Sequence, residues 1–233
     1  MDGLQKLHKS RISFGFRELV FGVHDGVLTV LGFVSGAAGI LTSSSIVFLA
    51  GLAAVVAEGI SMGVGEYQSS KSYSEIIEAE KKKEKTHIKE IPEIEEKEIV
   101  SIYMKKGFTE KEAKKIAKKL MANQSVWFQT IMSEEYGIGP KQESILKNSA
   151  IMGVASFLGG FIPIIPYLFF DVVAALRVSI IFSALTLFIV GAGKTYYTKK
   201  NWFTSGIVMV MVAMLTALVT FYIGQGFAVI FGI

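Results

Sequence analysis

Residues 20–39 read VFGVHDGVLTVLGFVSGAAG, an apolar run long enough to cross a bilayer that nevertheless carries Asp25 beside His24. An ionised carboxylate in hydrocarbon costs roughly 2.5–3.5 kcal/mol on insertion scales, so such groups usually face a bundle interior or a wet path and mark ion or proton routes. A second apolar run supplies Glu58, Met62 and Glu66, each four residues from the next and so stacked along one helical face. Carboxylates alone suit Mg2+ or Ca2+, whereas a thioether among them shifts preference toward a softer transition metal. The plainer alternatives are that Asp25 and Glu58 hydrate near an interface, that Met62 is packing, and that Glu66 is a solvated helix end.

Three further donor pairs lie in a polar stretch: Glu84 with His87, Glu95 with Glu98, and Met132 with Glu135, the members of each pair three residues apart. At that spacing both members project from one side of a helix, so three helices would each offer two ligands to a metal cluster. A solvated surface rich in Glu and Lys explains the same spacing, and both readings stay open at this point. Other chemistries lack material. Cysteine is absent and the only histidines are His8, His24 and His87, which removes disulfides, thiolate ligands and a hydrolytic zinc site. No phosphate-cradling loop, nucleophile elbow or HExxH helix is present, so neither an enzyme nor a prosthetic group is expected.

The elements that must hold these groups are membrane helices in an all-α chain. Of 233 residues, 51% are hydrophobic, and the mean hydropathy is +0.48. Five segments, at about 19–41, 46–66, 149–170, 172–193 and 204–231, reach the roughly 20 apolar residues that a bilayer core of about 30 Å demands. Pro163, Pro166 and Asp171 mark the far end of the third. The 24 Lys and Arg residues lie almost wholly between spans: four precede the first (Lys6, Lys9, Arg11, Arg17), sixteen fall in 67–148, three in 194–203, and Arg177 alone is inside. Positive residues stay cytosolic, so the N-terminus and the long insert are expected on that side. The net charge of +4 is then a topology signal, and no basic stretch with interleaved aromatics points to nucleic acid. No cleavable leader is expected either, since the first span exceeds a signal core.

The chain thus divides into 1–66 with two spans, a soluble helical insert at 67–148, and 149–233 with three spans. A charged helix is expected to continue out of span two until Pro92, which disfavours helix before it and suits the first turn of a new one bearing Glu93, Glu95 and Glu96. Gly107 stops that helix, Thr109 through Glu112 form a capping box for EKEAKKIAKKLM, and Ser125–Tyr136 make a last helix before Gly137. Ile99, Ile102, Tyr103, Ile116, Leu120, Trp127 and Ile131 are its expected apolar faces. In the spans, Gly22 with Gly26, Gly32 with Gly36 and Gly59 with Gly63 would permit close helix pairs or a homodimer.

Taken in order, GVHDGVLTVLGFVSGAAG, AEGISMGVGEYQSSKS, the Glu-rich insert and SFLGGFIPIIPYLF closely resemble the vacuolar iron transporter family over residues 18–193, and more weakly through the last span. The resemblance implies a five-span homodimer that exports Fe2+ from the cytosol in exchange for protons, with Mn2+ and related ions such as Zn2+ also eligible. It implies that Asp25 and Met62 form the translocation site; from their own positions Glu58 and Glu66 are expected to lead from the cytosolic mouth. It further implies that Glu84, Glu95, Glu98, Met132 and Glu135 bind metal in the cytosolic insert. Three departures stand out. His87 replaces a family glutamate and still ligates Fe2+ with a different charge, Ile131 replaces a methionine and cannot, and Ala54 replaces a span-two glutamate while Glu58 sits one turn later. A membrane-anchored metal sensor or buffer, and a transporter mainly for Mn2+, are the alternatives. The membrane would be a plasma membrane in a prokaryote or a vacuole-like one in a eukaryote.

Overall fold

The computed structural model describes residues 15–138 and 144–232, and these contain helices and no strand. In chain order the helices are α1 (Phe16–Ala38), α2 (Ser44–Glu90), α3 (Pro92–Lys105), α4 (Glu110–Met121), α5 (Gln124–Glu134), α6 (Ile145–Ile164) with a 3-10 extension (Ile165–Leu168), α7 (Val172–Gly193), the short α8 (Thr195–Thr198) and α9 (Trp202–Phe231). Five helical segments are long and apolar enough to span a membrane: Phe16–Ala38, Ser44–Glu90, Ile145–Leu168, Val172–Thr198 and Trp202–Phe231. The chain separates into two compact units, Met1–Gln68 with Ser144–Ile233, and Ser69–Glu143.

In the membrane unit the inner positions belong to α1 and α6. Val30 and Val34 of α1 meet Val47 and Val55 of α2 and Ile164, Tyr167, Val172 and Ala175. Along an adjoining stripe of α1, Val27 and Leu31 meet Leu187 of α7 and Met209, Ala213 and Ala217 of α9. Pro163 lies inside α6 near its far end, and its carbonyl accepts a 2.7 Å hydrogen bond from the buried Ser179 hydroxyl, tying α7 to α6. Asp171 caps α7 by accepting from the amides of Val173 and Ala174.

The glycine pairs are used within the chain. A Cβ on Gly26 would stand 2.1 Å from the Ser156 carbonyl oxygen, so only glycine lets α1 lie this close to α6. Gly22 abuts α6 as well, Gly32 and Gly36 abut Thr216 and Thr220 of α9, and Gly59 and Gly63 abut Phe157 and Gly153 of α6. Small residues here tighten the bundle itself.

In the second unit, α4 starts at a complete capping box, Thr109 with Glu112, and α5 starts at Asn123, whose side chain accepts from the amides of Ser125 and Val126. Ile88, Ile99, Val100, Trp127 and Ile131 form its core. The contribution of α4 is Ala113 and Ala117, with Ile116 only half-buried, because two alanines in succession on one face let the helices approach closely.

Candidate functional site

Asp25 is half-buried midway along α1, and the Glu58 carboxyl of α2 lies in hydrogen-bonding contact with it. The Ser156 hydroxyl of α6 donates to Glu58 Oε1 at 3.5 Å. Two carboxyls in contact hold one proton between them or grip one cation, since two bare carboxylates at that range repel. Met62 is half-buried one turn beyond Glu58. Another turn on, Glu66 Oε1 is 3.5 Å from Arg17 Nη2, and the same guanidinium group is 3.0 Å from Glu18 Oε1. Arg17 thereby links acids of two helices, one of them, Glu18, almost fully buried.

In the second unit, the α2 helix carries Glu84 and His87 one turn apart, and the chain breaks for the single residue Ile91 before Pro92 opens α3. That abrupt reversal returns Glu95, in the first turn of α3, to His87. His87 Nδ1 stands 3.2 Å from Glu95 Oε1 and 3.9 Å from Glu84 Oε1. One ligating atom from each of the three lies within 4.8 Å of the others, close enough for all to grip one metal ion. The Glu84 and Glu95 side chains are only 3% and 2% exposed, and each has a buried Oε2 with no hydrogen-bond partner. Buried carboxylate oxygens left unpaired are costly unless a cation or proton meets them.

Electrostatics place more groups around this centre. Burial, and then the charges of Glu84 and Glu98, push the Glu95 carboxyl up to about 7. Glu135, at the end of α5, is raised by burial and then by Glu98 and Glu84. Glu98 and Glu135 are therefore near enough to repel the buried acids, and Met132 is buried on α5. The Tyr136 hydroxyl donates to Glu84 Oε1 at 2.9 Å. Burial, with that hydrogen bond second, holds the phenol above its usual range. Two carboxylates and an imidazole make an O,O,N set that Fe2+, Mn2+ and Zn2+ all accept.

A profile of the VIT family matches residues 16–225. The chain belongs to the VIT family. It is 31% identical over 207 residues to vacuolar iron transporter 1 of Eucalyptus grandis, covering 88% of this chain and 83% of that one. It is 31% identical over 219 residues to the vacuolar iron transporter of Plasmodium falciparum, covering 89% and 80%. With vacuolar iron transporter 1 of Arabidopsis thaliana it shares 33% over 187 residues, covering 79% and 75%. These relatives are transporters by name, not enzymes.

In this VIT-family chain, four residues near the two groups escape sequence reasoning. Glu18 follows Arg17 at the start of a span and looks like a solvated helix end, yet it is buried. Ser156 and Tyr136 reach their acids across 98 and 52 residues of sequence, which no local spacing reveals. Glu80 does carry a signal, being one turn before Glu84 on the same face, but it is one of many acids there. Its Oε2 is buried, with Lys83 Nζ 3.6 Å away.

Proposed function

We propose that the chain exports Fe2+ from the cytosol across its membrane in exchange for protons. The observation that carries this reading is the Asp25–Glu58 carboxyl contact inside the spans of a VIT-family chain. Such a pair accepts a dication when its proton leaves and releases it when a proton returns, which is antiport chemistry in one place. Met62 adds sulfur and favours Fe2+ over Mg2+ and Ca2+; Glu66, with Glu58, leads in from the cytosolic mouth. Glu58 takes the place of the glutamate absent at Ala54.

On this reading the unit around Glu84, His87, Glu95, Glu98, Met132 and Glu135 captures Fe2+ on the cytosolic side, where the Lys- and Arg-rich segments belong. Mn2+ and Zn2+ fit the same donors. A homodimer brings two copies of Asp25 and Met62 to a shared path. With the glycine pairs used inside the chain, support for it comes from an open apolar groove of about 630 Å³ between α2 and α6, lined by Val56, Ile60, Val64, Leu146 and Phe157 among others. A vacuole-type membrane is the counterpart of the relatives' names, and a prokaryotic plasma membrane suits the same orientation. The metal cluster by itself also favours a second reading, a membrane-anchored metal sensor or buffer. Asp25 speaks against it, because an anchor gains nothing from a half-buried acid within a span.

The test is proton flux in liposomes carrying an internal pH dye, with Fe2+ added anaerobically. Antiport requires flux that Asp25→Asn abolishes. Absence of flux with both Fe2+ and Mn2+, while metal still binds, leaves the sensor or buffer.

A further inference from the structure

Tyr136 sits just past the end of α5, where Gly137 takes a left-handed conformation (φ 66°) and the Ile138 amide donates to the Met132 carbonyl at 2.9 Å. This closes the helix with a six-to-one bond and turns the chain sharply. The Tyr136 ring packs on the core of Ile88, Ile99, Trp127 and Ile131. Ring and backbone are both anchored, so the direction of the hydroxyl is fixed, and it donates to Glu84 Oε1 at 2.9 Å.

That bond divides the Glu84 carboxylate into two unlike oxygens. Oε1 is committed to Tyr136, with His87 Nδ1 3.9 Å from it. Oε2 is buried and has no hydrogen-bond partner, so it is the oxygen available to a cation. Glu95 is divided in the same way, with Oε1 3.2 Å from His87 and a buried, unpartnered Oε2. We propose that Tyr136 is a positioning residue that holds Glu84 as a one-oxygen ligand and so sets which dication the cluster prefers. The proposal rests on Glu84, His87 and Glu95 being metal ligands.

The selectivity follows from coordination number. Ca2+ takes six to eight oxygens and commonly grips carboxylates through both of theirs. Ions of the Mn2+ and Fe2+ type accept imidazole and single carboxylate oxygens. A Glu84 tethered at Oε1 satisfies the second group and disappoints the first. Without the tether the carboxylate can rotate and chelate.

The experiment uses the full chain in detergent carrying Asp25→Asn, which breaks the membrane carboxyl pair, and titrates it with Mn2+ and with Ca2+. Tyr136→Phe keeps the ring and removes only the donor. It is expected to weaken Mn2+ binding by about 10- to 100-fold, the usual cost of losing an outer-shell partner, and to weaken Ca2+ less or strengthen it, so the Mn2+/Ca2+ preference falls. Equal losses for both ions, with an unchanged melting temperature, would reduce Tyr136 to a structural residue. Unaltered Mn2+ affinity would remove it from the site. A phenolate-to-iron charge-transfer band on adding Fe3+, lost in Tyr136→Phe, would make it a ligand and overturn the positioning role. The underlying reading fails separately, and visibly, if the Asp25→Asn parent binds no Mn2+ or if adding Glu84→Gln leaves Mn2+ binding intact.

Discussion

The two acidic centres of this chain handle negative charge in opposite ways. In the membrane unit, Asp25 and Glu58 are half-buried and meet each other directly, with one weak donor at Ser156. In the second unit, Glu84 and Glu95 are almost fully buried, and each has one oxygen held by Tyr136 or His87 and the other left unpaired. On the proposed export reading, the first arrangement changes its partner easily, because a proton and a metal would compete for the same two groups. On the same reading the second is preorganised for retention, since its donors would orient the acids before any ion arrives. A place to let go and a place to hold need different surroundings, even when both are made of carboxylates.

Replacing one acid in each centre should separate these roles most sharply. Asp25→Asn is expected to reduce Fe2+-driven proton flux to background while metal titration of the second unit is unchanged; a loss of both together would mean that the centres are not independent. Glu95→Gln should lower Mn2+ affinity in calorimetry beyond the roughly 100-fold that losing an outer-shell partner costs. Because Glu95 is raised to about 7, removing its charge should also raise the melting temperature of the metal-free protein at pH 8.

Acidity should move the holding centre in a defined direction. The folded-state value of Glu95 lies above the ordinary carboxylate range, so its protonated form stabilises the metal-free fold at low pH, and that contribution is lost as pH rises through about 7. Metal binding runs the other way. It should weaken by about tenfold per unit as pH falls below about 7, read by Mn2+ titration from pH 8 to pH 5.5. A flat profile would mean that Glu95 is not among the ligands. The smallest expected effect is that of Met62→Leu, which conserves volume: several-fold slower Fe2+ transport with Mg2+ exclusion relaxed and the fold intact. Unchanged Fe2+ flux would take Met62 out of the path.

Local chemistry made much of this legible. Pro92 and Thr109 give the starts of α3 and α4 because a ring without an amide hydrogen and a hydroxyl three residues before Glu112 act on their own neighbours. The five apolar runs are equally plain, since a bilayer reads length and composition. The Glu84–His87 pair follows from helical spacing, but its meeting with Glu95 depends on the one-residue break at Ile91, whose sharpness Pro92 suggests and does not specify. Tyr136 and Ser156 were invisible because their partners come from distant segments. The glycine pairs announced a close approach without saying to what, and the close helix pairs that they form are within the chain itself.

The close approach of Gly26 to Ser156 has a mechanical side. With α1 and α6 separated by so little, sliding one past the other by one turn, roughly 5.4 Å, in the direction that carries Val30 to the place of Gly26 would drive its side chain into the α6 backbone. The pair is a fixed post with Asp25 mounted on it. On the export reading, motion that turns Asp25 toward the opposite side of the membrane is expected to pivot about this post rather than slide along it by a turn.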